Sequence, residues 1–290
     1  MMALEIACQG QSFEAGFRSV YGLTGTACLN SQAIACFLFV GEDVIEMKIG
    51  IIGAGNIGAT LARKLAACGH EVKLANSKSP HTLQNLANEI GVSAVTKEDA
   101  VSNVDAVILS IPFAKYPDLR QTLSNVPEKV VVIDTSNYYP GRDGAIKEVD
   151  DGKPESVWVS EQIGRPVVKA WNAVLAATLA EHGQPADSSS RIALPVAGGD
   201  INAEAIVQDL VEDTGFTALA AGSLEDSWRQ QPGTPAYCTE LKLPELKSAL
   251  CAADKLRAPQ NRDALMTKFM TPAGNFTHEE IVTMNRELTA

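Results

Sequence analysis

Gly53, Gly55 and Gly58 fall at G-x-G-x-x-G spacing within Gly53-Ala54-Gly55-Asn56-Ile57-Gly58, directly after the apolar stretch Lys48-Ile49-Gly50-Ile51-Ile52. A strand that breaks into this loop and then opens a helix makes a seat for a pyrophosphate. The first glycine allows the tight turn, the second admits the diphosphate against the backbone, and the third lets the helix pack on the strand. The unpaired N–H groups of the helix's first turn then face the anion. Helical spacing of Ile57, Leu61, Leu65 and Ala66 over residues 56–68, a stop at Gly69 and a second strand at Glu71–Ala75 complete a β-α-β unit.

The end of that second strand should choose the cofactor. NAD readers place Asp or Glu there to bind ribose hydroxyls, whereas this chain reads Asn76-Ser77-Lys78-Ser79. Two hydroxyls, an amide and the Lys78 ammonium suit a 2′-phosphate, so the expected cofactor is NADP. A solvated polar turn is the plainer alternative.

Few other residues offer chemistry. Lys169 and Asn172 in Val167-Val168-Lys169-Ala170-Trp171-Asn172 fit the acid/base and orienting pair of a carbonyl or imine reductase, or a pair that only ties loops together. Cys238 has no histidine near it in sequence, which argues for an ordinary thiol over a nucleophile. Asp134 reads as a cap or acceptor at a strand end. Trp228, in the Pro/Gly-marked loop Ser227–Pro235, reads either as core or as part of a lid. His70, His81, His182 and His278 are scattered without H-E-x-x-H, the six cysteines form no C-x-x-C, and no metal site is expected.

The elements that must position these groups alternate. Expected helices cover 80–90, a brief acidic stretch at 100–101, 116–123, 173–181 and 203–214. Expected strands cover 92–95, 105–111, 130–134, 191–196 and 216–221. The near-continuous apolar runs Asp105–Ile111 and Val130–Asp134 are typical of strands buried on both faces. The expected fold is therefore α/β: a doubly wound, Rossmann-type parallel sheet with a small, mostly helical C-terminal portion whose helices span 245–254 and 279–288. In such sheets ligands cross the carboxyl ends of the strands. That marks Ser110, Ile111 and Pro112, and Thr135, Ser136 and Asn137, as site candidates, each also explicable as turn-capping residues.

The 290 residues carry 24 basic against 35 acidic side chains, a net charge of -11, which disfavours nonspecific binding to nucleic acid or anionic membrane. Reduced thiols and the lack of a Lys/Arg-led secretory start suit a cytoplasmic protein. The division expected is 1–46 as an N-terminal extension, 47–222 as the nucleotide-binding domain and 223–290 as a helical or lid portion. Met47 stands where such a fold begins, so 1–46 reads as loosely docked, poorly ordered or a start-site artefact, with an added edge strand through 37–40 as the rival. The apolar run 33–40 is far shorter than the ~20 residues needed to cross a bilayer.

Met47-Lys48-Ile49-Gly50-Ile51-Ile52 with the glycine loop, Ala75-Asn76-Ser77-Lys78, Asp134-Thr135-Ser136-Asn137-Tyr138-Tyr139-Pro140, the Val167–Asn172 stretch and Ser227–Tyr237 together resemble the NADP oxidoreductase family typified by NADPH-dependent reductases of the deazaflavin coenzyme F420, in its bacterial branch. The glycine loop, the Ser-Asn after the fifth strand and Lys-Ala-x-Asn are also similar to the cytosolic domain of six-transmembrane ferric reductases. The resemblance implies pyrophosphate contacts from Ala54, Gly55, Asn56 and Ile57, a 2′-phosphate on Ser77 and Lys78, and nicotinamide near Ile111-Pro112 and Ala197-Gly198. The family more often carries Arg after that serine. Lys78 keeps the charge without the bidentate fork. The expected activity is hydride transfer between NADP(H) and a flavin-like, deazaflavin-like or other small redox acceptor, with Trp228 and the 230–237 loop closing the pocket and a homodimer as the assembly. A carbonyl or imine reductase of the hydroxyacid dehydrogenase type and a non-catalytic NADP-binding redox sensor remain open alternatives.

Overall fold

The computed structural model describes residues 46–270 and 276–289. Contacts divide the chain after Asp43, and every described residue belongs to the unit Val44–Ala290. The expectations for residues 1–45, including the edge strand, lie outside the described residues.

The glycine loop is framed by β1 (Lys48–Ile52), α1 (Asn56–Ala67) and β2 (Glu71–Ala75). A 3-10 turn, Pro80–Leu83, precedes α2 (Gln84–Ile90), because Ser79 caps the turn and Pro80 starts it. Next come β3 (Ser93–Ala94), α3 (Lys97–Ala100) and β4 (Ala106–Leu109). The helix expected over 116–123 is a 3-10 stretch, Phe113–Leu119, with only α4 (Arg120–Leu123) as true α-helix. Pro117 lies inside it and removes one of the N–H donors that an α-helix would use.

β5 (Val131–Asp134) leads to three helices absent from the sequence reading: α5 (Pro140–Asp143), α6 (Lys147–Asp150) and α7 (Glu155–Ile163). After β6 (Val168–Lys169), the helix expected from residue 173 begins only at Ala176, as α8 (Ala176–Glu181). Trp171 has a left-handed backbone at φ 54, which breaks the chain out of the strand before any helix can start. β7 (Ala193–Gly198), α9 (Ile201–Asp213) and β8 (Thr217–Ser223) follow, and then a 3-10 helix, Leu224–Gln230, whose end takes in the start of the expected loop 227–235. Its start is a reciprocal cap between Ser223 and Asp226. The tail holds α10 (Leu243–Ala252), α11 (Ala258–Phe269) and α12 (His278–Thr289), of which α11 was not foreseen.

Eight strands form one sheet in the order β3-β2-β1-β4-β5-β6-β7-β8. β1 to β6 are parallel to their neighbours, as a doubly wound fold requires. β7 then runs antiparallel to β6 through the Lys169–Ala197 pair, with β8 parallel to β7. The sheet is thus mixed and mostly parallel.

Strand alternation builds two cores. Ala106, Ile108, Val131 and Ile133 face Leu61 and Leu65 of α1 together with Val207 and Leu210 of α9. Val107, Leu109 and Val132 face Phe113, Tyr116, Trp158 and Val159. Covering both faces is what makes these strands apolar at every position. α10 adds a smaller core of Leu246, Ala249 and Leu250 with Ala193 and Ala236.

Candidate functional site

A cleft of about 940 Å³ opens at the carboxyl edge of β1, β2 and β4. Three of the segments singled out in the sequence meet in it: Gly53 to Gly55, Asn76 to Lys78, and Ser110 to Pro112. The turn geometry explains the glycines. Gly53 has φ +112, and a Cβ there would lie 1.9 Å from the Ser110 carbonyl oxygen; a Cβ on Gly58 would lie 1.9 Å from the Gly53 carbonyl oxygen. Around Gly55 a Cβ would meet nothing within 4 Å, so that face of the loop is open to approach.

Gly55 is the N-cap of α1, no side chain caps the helix, and its first turn carries no acidic residue. The amide groups of Asn56, Ile57 and Gly58 therefore keep their capacity for an anionic acceptor. That open cradle fits a dinucleotide diphosphate.

After β2, Asn76 is committed to the turn itself. Its Oδ1 accepts the Lys78 N–H at 2.8 Å and its Nδ2 donates to Thr82 at 3.0 Å. Ser77 and Lys78 are exposed at the cleft. Lys97 and Lys115 also line the cleft, with Glu98 and Asp118. Neither lysine is among the residues expected above, yet Lys97 follows β3 and Lys115 follows β4, where the strand-end rule that marks Ser110 applies equally.

One strand further along, the end of β5 is closed by a buried polar network. Asp134 is fully buried and accepts from Ser136 Oγ at 2.6 Å, Ser156 Oγ at 2.6 Å and Lys169 Nζ at 3.1 Å, and from the Tyr116 hydroxyl. Burial alone would raise its pKa, but Lys169 and these hydroxyls outweigh that and hold the carboxyl below its ordinary range. Lys169, 0 % exposed, also donates to the Ser136 carbonyl at 2.6 Å and stands 3.8 Å from Glu155. Burial pushes the Glu155 carboxyl up to about 7 against the pull of Lys169. Its Oε2 accepts no hydrogen bond.

Lys169 closes β6, Asn172 follows in the turn after it, and neither lines the cleft. Asn172 Nδ2 donates to Asn137 Oδ1 at 3.0 Å and to the Gln230 carbonyl at 2.8 Å, while Gln230 Nε2 donates to Asn172 Oδ1 at 2.9 Å. Asn137 Nδ2 returns a bond to the Asn172 carbonyl at 2.9 Å. This ladder ties the exits of β5 and β6 to the 3-10 helix at residues 224–230. Both side chains of the pair are engaged in these ties between neighbouring segments.

Other candidates go elsewhere. Ala197 pairs with Lys169 at the end of β6, so it stays level with the carboxyl edge of the sheet, but neither it nor Gly198 lines the cleft; beyond them Gly199 and Asp200 share a hollow with Val130, Val131 and Val167 at the amino-terminal ends of β5 and β6. Trp228 lies in a separate shallow groove with Lys153 and Pro259, under the Arg229 guanidinium at 4.5 Å and the Lys255 ammonium at 5.7 Å. Cys238 is buried, and burial pushes its thiol up to about 12, which leaves it without thiolate at neutral pH.

Residues 48–138, which hold the glycine loop and the strand ends around the cleft, match the family described as NADP oxidoreductase, coenzyme F420-dependent. The Escherichia coli K12 protein YjhV is 35% identical over 111 residues, covering 38% of this chain and 81% of YjhV. The chain belongs to the F420-dependent NADP oxidoreductase family. It is an NADP-dependent oxidoreductase. Among solved structures, protein SMa0349 of Sinorhizobium meliloti resembles this family member at 30% identity and a TM-score of 0.59, over 69% of this chain and 96% of that one. A proposed F420-dependent NADP-reductase from Arthrobacter sp. FB24 shares the fold at 21% identity and a TM-score of 0.50, over 61% of this chain and 86% of that one.

Proposed function

We propose that this oxidoreductase binds NADP(H) along the cleft and exchanges a hydride with a planar, flavin- or deazaflavin-like acceptor. The observation that carries the reading is the turn after β2, where Ser77 and the Lys78 cation stand exposed at the cleft and no carboxylate occupies the ribose-reading position. Gly53, Ala54, Gly55 and the first turn of α1 (Asn56, Ile57, Gly58) take the diphosphate. Ser77 and Lys78 take the 2′-phosphate while Asn76 shapes their turn. Ser110, Ile111 and Pro112 wall the next stretch, and Ser136 and Asn137 hold the loop beyond β5.

The bound cofactor supplies the hydride; the chain's task is to orient the rings and exclude water. The buried network favours a ring acceptor over a carbonyl. Asp134, Lys169 and Glu155 are buried and none of them lines the cleft, so none stands ready to deliver a proton to a substrate oxygen there. Homodimerisation and a cytoplasmic location belong to the same proposal; among the described residues, no helix is long and apolar enough to cross a membrane.

The test pairs calorimetric titration with NADPH and NADH against an NADPH oxidation screen over flavins, deazaflavin, quinones, ferric salts and small carbonyls. Preference for NADPH and turnover with ring acceptors are expected. Turnover with carbonyls alone would overturn the acceptor assignment, and tight binding without any turnover would leave a redox sensor.

A further inference from the structure

His182, Glu240 and His278 are far apart in sequence and outside the cleft, yet their side chains converge. His182 is the C-cap of α8, Glu240 lies in the segment after Cys238, and His278 opens α12. Within this group every ligating atom lies within 4.8 Å of the others. His278 Nε2 is 2.6 Å from Glu240 Oε1, and His182 Nδ1 is 3.6 Å from the same oxygen. The two imidazoles meet edge to face at 4.9 Å and 78°. We infer that these three side chains form a site for a first-row divalent cation, Zn2+ by the chemistry of its donors.

Two imidazoles and one carboxylate suit zinc and its neighbours, whereas Mg2+ and Ca2+ require oxygen donors. Zinc ligands at about 2.0–2.2 Å stand roughly 3.3–3.5 Å from one another in a tetrahedral set. The observed 2.6 and 3.6 Å separations bracket that spacing, so small side-chain shifts suffice. A hydrogen-bonded pair accounts for His278 and Glu240 but leaves His182 unexplained: at 3.6 Å its Nδ1 is beyond normal hydrogen-bond reach, yet it addresses the same oxygen. The His182 side chain is 41% exposed, which gives an entry path and room for a water as fourth ligand.

The surroundings hold the carboxylate in place. Thr178 donates its hydroxyl to Glu240 Oε1, and Arg286 of α12 donates to the backbone carbonyls of Thr239 at 2.8 Å and Glu240 at 3.3 Å. Glu240 has φ 52 and Cys238 φ 56, a left-handed backbone that non-glycine residues seldom adopt. The anchors hold this conformation, and it turns the carboxylate towards the histidines. A bound cation would clamp α8, the segment around residue 240 and α12 together.

The test uses the full chain, stripped with chelator and titrated with Zn2+ alone by calorimetry, with Tm followed in parallel. One equivalent of binding and a raised Tm are expected. Co2+ in place of Zn2+ should give the intense visible bands of a four-coordinate ion without a thiolate charge-transfer band, which separates this site from the cysteines. Glu240→Gln or His278→Ala should weaken binding by at least about 100-fold and Thr178→Val, one contact further out, by about 10- to 100-fold. His81→Ala should change nothing. Absence of heat and of a Tm shift in folded, unaltered protein would overturn the proposal, as would unchanged Zn2+ affinity in a folded H182A/H278A variant.

Discussion

Lys78 and Glu155 carry the sharpest residue-scale consequences. A hydrogen-bonded contact to a charged group is worth about 1.5–3 kcal/mol, and Lys78→Asp both removes a cation and adds an anion at the proposed 2′-phosphate. The NADPH-to-NADH affinity ratio is expected to fall on the order of 100-fold; an unchanged ratio in paired titrations would detach Lys78 from cofactor choice. Glu155 makes a pH prediction. Its carboxyl rises from 4.5 to about 7 in the folded chain, so the folded state holds the proton more tightly than the unfolded one. Stability present below pH 4.5 is therefore lost as pH climbs towards 7, by about 3 kcal/mol. Asp134 acts in the opposite sense, since its lowered pKa contributes stability above its ordinary range that disappears in acid. Glu155→Gln should remove the first effect and leave the second. Urea unfolding near pH 8 should show the variant more stable than the parent chain, with the gap closing near pH 4.5.

At the scale of elements, the amide ladder Asn137–Asn172–Gln230 is what joins β5, β6 and the 3-10 helix at Leu224–Gln230. Asn172 is buried, and truncation strips partners from Asn137 and Gln230 at once. Asn172→Ala should cost about 2–4 kcal/mol in chemical denaturation, and a loss below half a kilocalorie would show that the ladder is incidental. Such couplings have no signature in sequence, because amide side chains are ordinary in loops and only the meeting of three loops makes them a unit. The parallel strands β4 and β5 were legible for the opposite reason: burial on both faces forces apolar runs such as Val107-Ile108-Leu109. β6 has only two residues in register, too short for a pattern, and the reversal at β7 depends on a single pair with Lys169. Ala197 and Gly198, which the family resemblance sets near the nicotinamide, come to the site's side of the sheet only through that one pair and do not line the cleft.

Across the whole molecule, the C-terminal helices belong to the same compact unit as the cofactor cleft but do not line it. α12 is pinned to the body by Arg286, whose guanidinium binds the carbonyls of Thr239 and Glu240, and none of its residues lines the cleft. Arg286→Ala should lower stability by about 1–3 kcal/mol and shift the Tm, while NADPH affinity stays within about threefold because the two sites share no partner. A larger loss of affinity would mean that the tail supports the cleft.

Local chemistry was determined by the chain order itself. The Gly53–Gly58 turn, the uncapped helix after it and the carboxylate-free Asn76–Lys78 turn depend on neighbours in sequence, so residue type and spacing suffice to specify them. Long-range convergence was decided by tertiary structure: the burial of Lys169 with Asp134 and Glu155, the pairing of Ala197 with Lys169, and the meeting of His182, Glu240 and His278. Each of those joins segments tens of residues apart whose approach is set by strand direction and helix packing, and no spacing along the chain encodes that.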